Sequence, residues 1–443
     1  MTKFIENNKL FLICIILFII ITLPIMLSHH PISDEAQNFM VSYFLTPQNF
    51  AELISTNGHP AIWYLVMLPF AKYNICYPYS ILIINYLFIL SAIIIMWKNA
   101  PFDNIFKIII TFAYMNVSYF AVYARCYSIG ILGLFLLASL YKTKYKKPLL
   151  YAFLLGMTAN TSAMAAIPTI ALASIFSYGL FFTEKELPAI KKIMSCVILI
   201  LFAFVFLFPF IKYSVFSYSN EEIKYFILGM KNFFFPIKEN FTFLISFLFV
   251  LYYLIFCSKD KTSKFFLLCS TILFMLFIAF IYKCFYYHRL FLLIFIIITI
   301  WLQNYTEKYT KLITVLVFSL TVIFYTPSHL NYWNGDKNIF DFGKLLKTDK
   351  LKYGNSVVVI PDYFFRYEIA PFLILNIPDI KIFGCTQYYD YRFLDGNNCD
   401  YNNKNIKELI STTKQDIYMF SKNKINNYIP TETYKDIYIY KLK

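Results

Sequence analysis

Residues 149–181 read LLYAFLLGMTANTSAMAAIPTIALASIFSYGLF, an apolar run with no charge in it. A bilayer's hydrocarbon core of about 30 Å needs roughly 20 apolar residues in one helix. This run is too long for one helix and has a polar break at its middle, Thr158-Ala-Asn-Thr-Ser162. It therefore predicts two helices turning at that break. The choice decides the fold, because a single span here would move every later loop to the other side of the membrane.

The rest of the chain has the same character. Phe11–Leu27, Tyr79–Trp97, Ile193–Ile211 and Phe241–Phe256 are uncharged apolar runs of similar kind. The 443 residues are 59% hydrophobic and 15% charged, against about 25% charged in soluble domains. The reading is a mainly α, polytopic membrane protein with spans near 10–28, 79–97, 104–121, 127–141, 149–160, 163–181, 190–211, 240–257, 264–283, 285–302 and 310–326. Residues 1–326 form the membrane domain and 327–443 a soluble tail.

Basic residues test this arrangement. With the N-terminus inside, the inner loops carry 16 Lys and the outer segments before the tail carry 8 Lys plus Arg over nearly twice the length. That is the asymmetry of the positive-inside rule. Merging 149–181 into one span largely removes it. The net charge of +15 is thus explained by topology, and no nucleic-acid partner is implied. The first span resembles a signal peptide, but no small-x-small cleavage site follows Leu27, so it reads as an anchoring helix. The first outer loop, 29–78, holds Pro60–Ala71, too short to span and bracketed by Pro60 and Pro69, which predicts a helix lying in the interface.

The tail changes pattern. Asn355–Asp362, Ile380–Gly384, Asp416–Phe420 and Asp436–Tyr440 alternate or run apolar over strand lengths, with Phe364–Leu375 as an intervening helix. A small α/β domain follows. It has no nucleophile elbow, phosphate loop or metal-spaced His/Asp cluster. Cys385 and Cys399 could pair there if the tail faces an oxidising compartment. The other Cys sit mostly in apolar runs, where a thiol behaves as a small hydrophobe.

Charges beside spans are costly in a membrane and mark function. Asp34-Glu35 follows the first span; adjacent carboxylates suit a general base or a cation site, or are simply solvated loop acids. His59, in Asn57-Gly-His-Pro60, suits substrate binding or a helix-start turn. Arg125 sits in Tyr123-Ala-Arg-Cys-Tyr127 and is the only charge between Lys107 and Lys142. Its planar fork fits phosphate, though a structural acidic partner would also explain it. Lys283 and His288-Arg289 occupy a tight outer turn, where snorkelling competes with phosphate binding. The topology puts all four groups on the outer side.

The order of these motifs resembles the GT-C membrane glycosyltransferases. It looks closest to the bacterial branch related to protein mannosyltransferases and the aminoarabinose transferase of lipid A. The matching stretches are Ser33–Phe39, Gly58–Tyr64, Ala124–Ser128, Gly156–Pro168 and the turn at Arg289. The resemblance covers residues 8–300 and rests on short, degenerate motifs. It implies transfer of a sugar from a polyprenyl-phosphate carrier, usually with inversion, to a lipid, glycan or protein acceptor at the outer face of the bacterial cytoplasmic membrane. Asp34 would be the base, and Glu35 a helper or the alternative base. Arg125, Lys283 and Arg289 would hold the leaving phosphate, and His59, Tyr127 and His288 would line the substrate. No nucleotide or redox cofactor is implied. Many relatives carry Pro-Pro where this chain has His59-Pro60. The rival readings are a transporter or flippase of lipid-linked sugars and an O-antigen ligase or polymerase-like protein.

Overall fold

A computed structural model describes residues 2–57, 59–113, 115–213, 260–280, 288, 290–303, 335–346, 353–377, 379–384, 404–425 and 429–442. The membrane-type helices are α1 (Thr2–Ser28), α5 (Tyr79–Asn99), α6 (Asn104–Phe112), α7 (Tyr127–Leu140), α8 (Pro148–Ala159), α9 (Ala163–Tyr178), α10 (Ala189–Tyr213), α11 (Lys261–Phe280) and α12 (Leu290–Leu302). Between α1 and α5 lie α2 (Ser33–Phe44), α3 (Phe50–Asn57) and α4 (Ile62–Lys72).

The polar break at 158–162 becomes a set of helix caps. Pro148 opens α8 at a position where its missing N–H is no loss. Asn160 closes α8, its backbone N–H reaching the carbonyls of Gly156 and Met157. Thr161 Oγ1 donates to the Thr158 carbonyl at 2.7 Å. Ser162 Oγ accepts the Ala165 N–H at 3.1 Å and starts α9. The polar side chains thus satisfy backbone groups that a turn would leave open. On α7, a methyl group at Gly133 would collide with the Thr158 side chain, and one at Gly130 would meet Ala165 Cβ at 2.9 Å. Small residues of this kind let membrane helices approach closely.

Five helical segments among the described residues are long and apolar enough to cross a membrane: Lys9–Ser28, Tyr79–Asn99, Ala163–Thr183, Ala189–Phe208 and Lys261–Ile278. The expected spans at 127–141 and 149–160 are helices, but short ones of 14 and 12 residues, about 21 and 18 Å long at 1.5 Å per residue. The expected span at 104–121 is interrupted. α6 ends at Phe112, and a π-helical stretch, Met115–Phe120, follows. The expected spans at 240–257 and 310–326 lie outside the described residues. α4 has 11 residues and is too short to span. It runs through Pro69 to Lys72, so Pro69 lies inside it and not at its boundary.

The chain forms two compact units. The first comprises Met1–Met26, Ile54–Trp63 and Ile83–His329. Its centre is α12, every residue of which is buried, as expected of a helix apolar on all sides. α11 packs on α12 and on α9, and α7 packs on α8. Thr22 Oγ1 and Tyr86 OH meet at 2.9 Å between α1 and α5.

The second unit comprises Leu27–Leu53, Tyr64–Leu82 and Leu330–Lys443, so the C-terminal residues share a unit with much of 29–78. Its sheet runs β2-β1-β3-β5-β4, from β1 (Val357–Val359), β2 (Lys381–Phe383), β3 (Ile417–Ser421), β4 (Glu432–Tyr434) and β5 (Ile437–Lys441). β1 is parallel to β2 and β3, and β5 is antiparallel to β3 and β4. The four expected strands are present, and β4 is additional. α13 (Lys337–Leu346), α14 (Tyr363–Asn376) and α15 (Lys404–Thr412) accompany the sheet. Val357 and Val359 pack with Ile406, Leu409, Ile417 and Met419 in its core. Gly335 lies so close to the backbone of His30 and Pro31 that a side chain would not fit, and its N–H donates to the His30 carbonyl at 2.7 Å.

Candidate functional site

In the first unit, the site is built where helix ends meet. The π-helical stretch Met115–Phe120 breaks the regular ladder before the turn at 121–126, a feature common at functional positions. Its last carbonyl, on Phe120, accepts Asn85 Nδ2 and Ser128 Oγ, each at 2.9 Å. That anchors the turn to α5 and to the start of α7. The turn then presents Arg125, which is 6% exposed. Its guanidinium carbon lies 5.8 Å from the Tyr123 ring centre and 5.9 Å from that of Tyr127. Cation–π contacts of this kind hold a guanidinium in place without removing its charge.

His59 is the next partner. Arg125 Nη2 donates to His59 Nε2 at 2.7 Å. An arginine stays protonated in proteins, so this nitrogen must be the acceptor and the imidazole neutral. The remaining proton sits on Nδ1, which faces Cys126 Sγ at 3.9 Å. Desolvation and the Arg125 charge together push the His59 pKa down to about 3. Burial pushes the Cys126 thiol up to about 11. His59 therefore offers Arg125 an acceptor and no countercharge.

Tyr127 and His288 complete this part. Tyr127 OH and His288 Nε2 are 2.9 Å apart, with both residues buried. Tyr119 joins them, its ring centre 5.1 Å from Tyr123 and 6.2 Å from Tyr127. The structure thus brings together Arg125, His59, Tyr127 and His288, four residues from three distant stretches. Lys283 and Arg289 lie outside the described residues. Cys126, Tyr123 and Tyr119 were not singled out from the sequence; their only signal was the aromatic spacing around Arg125.

The carboxylates belong to the second unit. Asp34 and Glu35 occupy the first turn of α2, where acids favour the helix dipole. Their environments differ. Glu35 is 1% exposed, and its Oε2 accepts the Ile32 N–H at 2.9 Å while lying 2.8 Å from His29 Nε2. It is a cap and a histidine partner. Asp34 is half-buried. α2 is braced by the tail, packing on α14, with the Tyr77 ring tilted against Phe39 and edge-on to Phe372 at centroid distances of 4.7 and 5.3 Å. Among the described residues, no group of three or more His, Cys, Asp or Glu could hold a metal ion.

No protein-family model matches the chain, and no curated protein matches it.

Proposed function

We propose that this chain is a multi-pass glycosyltransferase of the bacterial cytoplasmic membrane, taking sugar from a polyprenyl-phosphate donor. The observation that carries the reading is Arg125: a buried guanidinium, flanked by two tyrosines and held by a neutral histidine. Such a cation, withdrawn from water and held in a fixed orientation, suits a leaving phosphate. Charge that develops during bond cleavage is best stabilised by a preorganised donor away from water. His288 and Tyr127 add polar atoms to the same cluster.

In this reading a general base takes the proton of the acceptor hydroxyl, and Asp34 is the acid that the sequence offers for that role. The hydroxyl oxygen attacks the anomeric carbon, and the polyprenyl phosphate leaves against Arg125. Glu35, which caps α2, is the helper or the alternative base. No nucleotide or redox cofactor enters the scheme. The topology has about eleven spans, with the N-terminus inside and the tail outside. Reporter fusions at 145 and 330 should report opposite sides; fusions on one side would remove the span count. The reaction itself is tested with purified full-length protein and a radiolabelled polyprenyl-phosphate sugar. Wild type should release polyprenyl phosphate with an acceptor present. Arg125→Ala should be at least 100-fold slower, in line with the loss of one charge-stabilising donor. Equal rates would remove Arg125 from the chemistry.

A further inference from the structure

The segment that carries His59 makes a second anchor. Three residues on, the Ile62 N–H donates to the Asn160 carbonyl at 3.2 Å, tying the start of α4 to the α8–α9 turn. Beside this bond are two buried side chains, Trp63 and Asn160, each 1% exposed. The Asn160 amide is fixed in one orientation. Its Nδ2 donates to the carbonyls of Gly156 at 3.0 Å and Phe202 at 3.2 Å. The flipped amide would set oxygen against two carbonyls, so Oδ1 must point elsewhere. Neither Asn160 Oδ1 nor Trp63 Nε1 has a hydrogen-bond partner among the described residues. Buried polar atoms are rarely left this way in native proteins. The first is an obligate acceptor and the second an obligate donor.

A hydroxyl group both donates and accepts, which makes it the complement of such a pair. We infer that Trp63 and Asn160 recognise a hydroxyl of the transferred sugar, and so set donor specificity while Arg125 holds the phosphate. The inference rests on the glycosyltransferase reading and deepens it. The two recognition elements are joined by the backbone from His59 to Trp63, whose ends are pinned at Arg125 and at Asn160. A sugar hydroxyl lost from such a pair leaves buried groups unmatched, and sites of this type discriminate strongly against ligands lacking the group.

The test uses full-length protein in lipid nanodiscs. The probes are undecaprenyl phosphate, bare or linked to a hexose, an amino sugar or a pentose. Wild type is expected to bind one glycosylated lipid at least tenfold tighter than the bare one. Trp63→Phe keeps the ring and removes the N–H; it should lose about tenfold in that preference, the weight of one buried hydrogen bond, with the bare lipid unaffected. Arg125→Ala should weaken both lipids. A second readout needs no folded variant of this site: with ¹⁵N-indole labelling of the four Trp, one indole N–H should shift with the glycosylated lipid and not with the bare one. If wild type prefers a glycosylated lipid while Trp63→Phe keeps the full preference and no indole moves, the inference is wrong and the phosphate site stands. If wild type binds bare and glycosylated lipids equally, the hydroxyl pair is also refuted. If it binds neither lipid, the glycosyltransferase reading fails and takes the inference with it.

Discussion

Replacing His59 by Gln isolates one ionisation in the candidate site. Gln keeps a carbonyl oxygen for the Arg125 guanidinium and cannot take a proton. In the folded chain the His59 pKa lies near 3, against an ordinary value of 6.5. A depressed pKa means that the unfolded chain binds the proton first. Stability is therefore fully present above pH 6.5 and is lost as pH falls towards 3. Each pH unit in that window is worth about 1.4 kcal/mol. Between pH 7 and pH 5 the wild type should lose about 2 kcal/mol more than His59→Gln, an upper figure because the ring is partly exposed. The other groups are common to both proteins and cancel in the difference. The assay is equilibrium unfolding of the full chain in micelles at a series of pH values. Parallel pH profiles would refute the neutral, Arg-bound imidazole, as would a steeper fall in the variant. The same argument makes donor binding flat from pH 8 to pH 5, since the imidazole stays neutral throughout.

The two neighbouring acids should separate cleanly: Asp34→Asn is expected to abolish sugar transfer at unchanged stability. Glu35→Gln should cost roughly 1–3 kcal/mol because it disturbs a buried carboxylate shared by Ile32 and His29, seen as a lower unfolding midpoint. Gly133→Leu should drive α7 off Thr158 and cost roughly 1–3 kcal/mol, read as lost folded yield, with Gly133→Ser milder. In the tail, burial raises the Glu368 pKa to about 7 from 4.5, so the folded state favours the protonated form and stability falls as pH rises through 7. Glu368→Gln should therefore stabilise the tail by roughly 1–3 kcal/mol at pH 8 and change nothing at pH 4, checked by hydrogen exchange in β1 and β3.

Much of the local architecture was legible because it is encoded locally. The Thr158–Ser162 break announced two helices through residues that cap. The apolar strand cores at Val357–Val359 and Ile437–Tyr440 showed by composition. β4 escaped because Glu432-Thr-Tyr434 has no apolar pattern, and its pairing to β5 supplies the strand. α13 escaped although Ile339, Phe340, Gly343 and Leu346 follow helical spacing. Pro69 brackets the apolar stretch in the sequence, yet α4 continues through it to Lys72. The interruption after Phe112 has no apolar gap to signal it. The site was legible only as a list. His59 and Arg125 are 66 positions apart and Tyr127 and His288 161 apart, and no local rule pairs them. The difference between Asp34 and Glu35 was also hidden, since it comes from His29 and the cap of α2 and not from the acids themselves.

The central claim is that Arg125 receives the phosphate of a lipid-linked sugar donor at the outer membrane face. Its most direct test is mass spectrometry of envelope glycans and lipid A from a deletion strain complemented with wild type or Arg125→Ala. The account predicts that one glycan or lipid species loses a sugar mass on deletion. Wild type should restore it and Arg125→Ala should not. Identical envelopes in all three strains, or full restoration by Arg125→Ala, would contradict it.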